Sequence, residues 1–434
     1  MSNFISKTEM AKGRQDKSTD WWIKLDNAAK IYPAITGSEL TGVFRISVEL
    51  RSPVVLSALI KATEEATRLF PSFCVELRKG IFWYYLEYNG NPPRIHPDTG
   101  LPCQPFPRNT PGELLYRVLV HNNSISVEFF HILTDGGGAL YYLKTLLNLY
   151  SLHAFGVSDH LFPEVATSPT PDGTTDLFTR FYQKGLPRPQ VLKPAWHLPY
   201  KLKQLPRFNV TSFELSTDRL SELSKKYGTT ITEYLASVYL FSLQELRVAT
   251  GRGSPYVRIQ VPFDLRKKYE VNTLRNFSLF VLPGIDIRMG HYSFDEIVRE
   301  VKIAMQVMTD EKRIKYVISR NVSKEKNPAI RIIPLFIKST ILRIAYMKFG
   351  PTQFTSTITN MGRVTVSGHG AEILEAMSVT PPPPHRQIKV TCGLITLNQK
   401  MIITFGSLTK SKVFERTFIS FLTSEGLQIK LRKQ

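Results

Sequence analysis

The chain has 434 residues, 42% of them hydrophobic and 21% charged, with a formal net charge of +20. That length suffices for two domains with separate cores, and the composition is of the soluble globular type. Cys74, Cys103 and Cys392 lie far apart with no CxxC pair, which argues against a disulfide framework or a zinc site and for a reducing, cytoplasmic setting.

Residues 1–20 are polar with no apolar run, so the expectation is a mobile N-terminus rather than a secretory signal. After WWIKLDNAAKIYP, residues 42–50 alternate as a strand, with Val43, Ile46 and Val48 apolar. Leu56, Leu59, Ile60, Ala66 and Leu69 keep helical spacing until Pro71 stops them. Residues 73–88 read as a hairpin turning at Lys79-Gly80, and residues 115–131 as a second one turning at Asn122-Asn123.

The second hairpin runs into SISVEFFHILTDGGGALYYLKTLLNLY. Ile125, Val127, Phe129 and His131 share one strand face. Gly136, Gly137 and Gly138 permit tight turning and close backbone approach, and Leu140, Leu143, Leu147 and Tyr150 then form a helical stripe. His131 is thus predicted at the end of a buried strand beside a helix start. A fixed imidazole there can serve as a general base; the plainer reading is a buried histidine beside an N-cap aspartate.

Residues 156–207 hold eight prolines, and residues 181–207 carry six lysines or arginines and no acid, so this stretch is the candidate crossover between domains. Ordered structure resumes near Phe208: a strand at 211–215, a helix ending at Gly228, and a helix opened by the capping box Thr230/Glu233. Strands follow at 256–263, 276–287, 353–359, 388–397 and 401–405, the last two as a hairpin about Asn398-Gln399, with helices at 293–308 and 411–422. Residues 330–346, IRIIPLFIKSTILRIAY, are the most apolar stretch, yet Lys338 and Arg343 interrupt it and it is too short to span a bilayer. Two readings stand: a helix buried against the second sheet, or a basic apolar helix making peripheral membrane contact.

His131-x-x-x-Asp135-Gly136, with a strand before it and a helix after, resembles the HxxxDG signature of the acyltransferase superfamily that includes chloramphenicol acetyltransferase and peptide-synthetase condensation domains. Within that superfamily the chain looks most like alcohol acetyltransferase-like proteins. The resemblance implies an α/β fold with mixed sheets: two chloramphenicol-acetyltransferase-like subdomains, 21–155 and 208–434, with an active-site tunnel between them. It implies His131 as general base, Asp135 and Gly136 as structural members of the motif, and an arginine partner for Asp135. Arg266, after the strand ending VPFDLR, matches that partner. Asn360 in TNMGRV and the Gly136 and Gly137 amides are candidate oxyanion donors, and Gly393 is a candidate tunnel residue; His385 reads as a loop residue. Two features depart from related groups: Phe130 stands where condensation domains carry a second histidine, and Asp-Phe-Gly-Trp-Gly is absent.

The implied activity is acyl transfer from a CoA thioester to an alcohol, lipid-like in view of 330–346, with no permanently bound cofactor and no metal. An acyl carrier protein as donor is the first alternative, since a basic surface suits an acidic partner. A non-catalytic membrane- or partner-binding protein on the same scaffold is the second. The +20 charge also fits a plain solvated surface. No zinc-finger, RNP-like or Arg-rich pattern accompanies it, so nucleic acid is not an expected partner.

Overall fold

The structure, a computed structural model, describes residues 21–107, 110–157, 160–165, 175–186, 192–366 and 368–432. Residues 1–20 and Pro169, Pro171, Pro187 and Pro189 of the crossover lie outside the described residues.

The first half builds two sheets. Strand β1 (Trp22–Lys24) leads through the short helix α1 (Tyr32–Ile35) into β2 (Val43–Leu50) and helix α2 (Leu56–Leu69). Strands β3 (Val75–Lys79) and β4 (Tyr84–Tyr88) form the first hairpin, which β1 joins as a small three-stranded sheet. Strands β5 (Ile95–Pro97), β6 (Tyr116–His121) and β7 (Ser124–Phe130) follow, then helix α3 (Gly136–Phe155). The β6–β7 turn places Asn122 at φ +46°, a conformation asparagine tolerates. Helix α3 ends at Gly156, whose φ of +67° closes the last turn.

The second half contributes β8 (Asn209–Ser216), α4 (Thr217–Lys226), α5 (Ile231–Thr250) and β9 (Tyr256–Asp264). The Thr230/Glu233 capping box forms at the start of α5. Next come α6 (Arg266–Tyr269), β10 (Ser278–Val281), β11 (Gly284–Asp286), α7 (Phe294–Met308), α8 (Glu311–Lys326) and α9 (Leu335–Phe349). The strand expected over 276–287 is two strands, both paired with β9. The chain closes with β12 (Ser356–Val364), β13 (Leu374–Thr380), β14 (Val390–Leu397), β15 (Lys400–Ser407), α10 (Val413–Ser424) and β16 (Ile429–Arg432).

An eight-stranded sheet runs β10-β9-β12-β14-β15-β8-β16, with β11 also on β9. The five-stranded sheet runs β13-β2-β7-β6-β5. Strand β13, far along the chain, therefore pairs antiparallel with β2 and completes the first half's sheet. One core lies between that sheet and α2 and α3, around Ile46, Val127, Phe129, Tyr142 and Leu146. The other lies between the large sheet and α5 and α10, around Tyr239, Leu243, Ile259, Phe405 and Phe418. A third, smaller cluster joins Leu177 and Phe178 of the crossover to Phe277, Ile314 and Ile318, so α8 covers the segment that follows Arg266.

Helix α9 corrects the reading of a helix buried against the second sheet. Only Leu335 and Lys338 of it are buried; Ser339, Leu342 and Tyr346 are half-buried, and the other residues are exposed.

Candidate active site

His131 follows the last residue of β7, and its N–H donates to the Gly42 carbonyl at 2.9 Å. The half-buried imidazole is held between rings: Tyr32 stacks on it at 5.2 Å with 6° between planes, and Phe44 lies tilted at 4.9 Å. Gly42 sits at φ +66°, where a Cβ would meet Thr36 at 3.0 Å and the rings of Phe130 and Tyr32 at 3.1 Å. Only glycine fits both that conformation and that space.

The imidazole Nδ1 lies 3.2 Å from Asn276 Oδ1. An amide oxygen only accepts, so Nδ1 carries the hydrogen. The other end of Asn276 fixes the amide's orientation: Nδ2 donates to Asp26 Oδ2 at 3.1 Å and to the His131 carbonyl at 3.0 Å. The Nε2 atom is thereby the lone-pair nitrogen of the ring. Asp26 is fully buried and is itself held by Arg275 Nε at 3.2 Å and the Ala29 N–H at 2.8 Å. Burial pushes the His131 pKa below the ordinary 6.5; the charges of Asp135 and Asp26 and the bond to Asn276 oppose this without overcoming it. The imidazole is therefore neutral near pH 7, the form a base needs.

Asp135 makes no bond to the imidazole. It caps α3, and Oδ1 accepts from the Gly137 and Gly138 N–H groups at 3.1 and 3.3 Å. Arg266 closes a two-pronged pair, Nη2 to Oδ1 at 2.7 Å and Nη1 to Oδ2 at 3.2 Å, and the Phe277 N–H donates to Oδ2 at 2.8 Å. Burial raises the Asp135 pKa, but Arg266 and the Phe277 N–H outweigh it and hold the carboxyl below its ordinary range. Arg266 also donates to the carbonyls of Thr273 at 2.8 Å and Arg275 at 2.7 Å. One carboxylate thus fastens the start of α3 to the 264–277 segment of the second half.

The three glycines are the first residues of α3 and do not turn the chain. They admit neighbours. A Cβ on Gly136 would lie 2.6 Å from Met361 Sδ, one on Gly137 2.7 Å from Arg266 Nη1, and one on Gly138 2.6 Å from the Leu274 carbonyl. Met361 reaches Gly136 through a register shift in β12 between Asn360 and Arg363.

Three expected residues fall elsewhere. The Gly137 N–H belongs to Asp135, so it is not available to an oxyanion. Asn360 donates to Thr232 Oγ1 at 3.0 Å and accepts from the Gly362 N–H at 2.8 Å; neither bond reaches His131. Gly393 does not face an opening: a Cβ there would lie 2.7 Å from the Val379 carbonyl, so it is the point where β13 crosses close to β14. His385 is buried, with Nδ1 accepting from the Gln387 N–H at 3.2 Å. A cleft lined by Arg51, Glu214, Glu375 and Lys400 lies along another seam, and its lining does not include His131.

Sequence reasoning passed over Asp26 and Tyr32, and took Asn276 as the first residue of the strand expected over 276–287. The available signal was polar: Asp26 is the one acid in WWIKLDNAAKIYP, among residues that otherwise lead into a core strand.

No protein-family model matches this sequence, and no curated protein matches it either. Solved structures do match along nearly the whole chain. The first condensation domain of the CDA synthetase matches with a TM-score of 0.62 at 15% identity, covering 94% of this chain and 97% of that one. TRI101 of F. sporotrichioides, complexed with coenzyme A and T-2, matches with a TM-score of 0.62 at 11% identity, covering 94% and 99%. Polyketide synthase associated protein 5 from Mycobacterium tuberculosis matches with a TM-score of 0.59 at 13% identity, covering 92% and 96%. The chain therefore has the mixed α/β, two-subdomain fold of condensation domains and chloramphenicol-acetyltransferase-like proteins. At such identities the likeness establishes the fold, and the chemistry has to be argued from the site.

Proposed function

We propose that this protein is an acyltransferase that moves an acyl group from a CoA thioester to an alcohol, with His131 as general base. The observation that carries the reading is the fixed tautomer: Asn276 takes the Nδ1 hydrogen and leaves Nε2 as the acceptor. Nε2 removes the acceptor's hydroxyl proton as its oxygen attacks the thioester carbonyl. The tetrahedral intermediate collapses with cleavage of the C–S bond, and the imidazolium returns the proton to the departing thiolate. An ester and free CoA result, and no acyl-enzyme forms. The rings of Tyr32 and Phe44 beside His131 offer an apolar setting that suits a lipid-like alcohol. One further member of the same fold, TRI101, is a protein complexed with coenzyme A, which supports CoA as the donor here.

A donor carried on an acyl carrier protein is the second reading, supported by the net charge of +20. A rate that falls steeply with salt for the carrier-bound donor alone favours it.

Single-turnover quenching with a radiolabelled acyl-CoA and a panel of alcohols tests the direct mechanism. The expected outcome is label passing to the alcohol with no labelled protein. Label trapped covalently on a peptide of this chain contradicts direct attack.

A further inference from the structure

Helix α9 is docked along one narrow edge. The Leu335 N–H donates to the Ile81 carbonyl at 2.9 Å, Lys338 Nζ donates to the Phe82 carbonyl at 3.0 Å, and the same ammonium lies 3.4 Å from the centre of the Trp83 ring. Further along, the helix packs on α1, whose Tyr32 stacks on His131. The exposed face of the helix is apolar. Phe336 is 65% exposed and Ile344 62%, with Ile337, Ile341 and Met347 also exposed beside them. The hairpin turn held against the start of the helix adds Ile81, 77% exposed, and Phe82. Two segments some 250 residues apart in sequence (81–82 and 335–349) thus build one apolar surface.

Along the helix and its flanks the charge has one sign, and Glu325 just before them is paired with Lys30. From Lys326 to Ala371 the chain holds no aspartate or glutamate, and Arg331, Arg343 and Lys348 are exposed on or beside α9. A second copy of this chain would bring like charge against like charge at such a face. An anionic bilayer neutralises it, takes the aromatic and branched side chains below its headgroups, and lets the long basic side chains reach back to the phosphates. No helix among the described residues is long and apolar enough to cross a membrane, so the geometry is that of a helix lying in the interface.

We infer that α9 and the Ile81–Phe82 turn are a docking surface for an anionic lipid bilayer. The contact places against the lipid the helix that packs on α1, whose Tyr32 stacks on His131. It stands on exposure and charge and does not depend on the acyl-transfer reading.

Co-sedimentation of the full chain with vesicles tests it, using phosphatidylcholine alone or mixed with phosphatidylglycerol. Wild type is expected to pellet with the mixed vesicles at least about tenfold more than with phosphatidylcholine alone, and high salt is expected to weaken the binding. The triple variant Phe336→Asp/Ile341→Asp/Ile344→Asp is expected to lose pelleting by about tenfold or more while keeping its thermal melting midpoint, because these side chains are already in water. Charge reversal with Arg343→Glu/Lys348→Glu is expected to remove the preference for anionic vesicles. No pelleting of wild type with anionic vesicles, or pelleting unchanged in the triple variant, overturns the inference. So does a concentration-dependent dimer in sedimentation velocity that the triple variant abolishes, which would assign the face to a second copy.

Discussion

Two buried carboxylates flank His131, and they do different work. Asp135, four residues on in the sequence, never touches the imidazole; it ties the first turn of α3 to Arg266 and to the Phe277 N–H. Asp26, 105 residues before the histidine, reaches it through one amide and sets which ring nitrogen carries the hydrogen. Nearness along the chain therefore marks the acid that fastens the seam, and nearness through hydrogen bonds marks the one that orients the imidazole. Both are matched by arginines from one short segment, Arg266 and Arg275. That segment of the second half serves the seam and the imidazole together.

Removing the structural acid should have the larger effect. Asp135→Ala takes the buried, two-pronged partner from Arg266, which keeps only the half-exposed Asp264 at 2.8 Å, and uncaps α3, a loss of about 2–4 kcal/mol. Urea denaturation is expected to show it, with activity falling in step with folded protein. A variant as stable as wild type would dissolve the contrast between the two acids.

Next in size is a packing change at the same seam. Gly138→Ala drives a methyl group against the Thr134 hydroxyl and the Leu274 carbonyl, the second of which is backbone and cannot swing aside. A destabilisation of about 1–3 kcal/mol is expected, read as a lower melting midpoint.

The orienting chain should respond in rate beyond its cost in fold, since Asn276 also donates to the buried Asp26 carboxylate and the His131 carbonyl. Asn276→Ala removes the acceptor from His131 Nδ1 and frees the ring to change tautomer. A fall in kcat of about 10- to 100-fold is expected, with KM moving less, from the cost of one buried unsatisfied donor. Equal loss of kcat and of thermal stability would place Asn276 with Asp135 instead.

The smallest effect is in pH dependence. The His131 pKa lies below 6.5 in the folded protein, so kcat/KM should rise with pH through a limb below 6.5 and then level off. Stability carries the same sign: a histidine that is harder to protonate when folded costs stability as the pH falls below 6.5 toward the folded value. Asp135 acts lower. Its contribution is complete above the ordinary carboxyl value of 3.8 and is lost as the pH drops through the depressed folded value. A rate limb centred above 6.5 would mean that burial does not govern His131.

Much of the layout is legible in local pattern. Val43–Leu50, Leu56–Leu69 and the Asn122 hairpin follow from apolar period, Pro71 and turn chemistry, which act over a few residues. The three-stranded sheet and the swap of β13 onto β2 do not, because pairing between distant strands leaves no local signature. The role of Gly393 is hidden for the same reason: it answers to Val379 on a strand that crosses over it. At the site, the motif marks His131 and Asp135, whereas Asn276 and Asp26 reach the histidine only through folding. For helix α9 the apolar pattern leaves core and surface both open, and the fold puts most of the helix at the surface.

The most direct test is release of free thiol from acyl-CoAs of short to long chain, with and without alcohols, comparing wild type with His131→Ala at matched folded concentration. Alcohol-dependent release by wild type that falls about 100- to 10,000-fold in the variant is the expected result, the range for loss of a positioned base. Equal release by both proteins would remove His131 from the chemistry and contradict the mechanism.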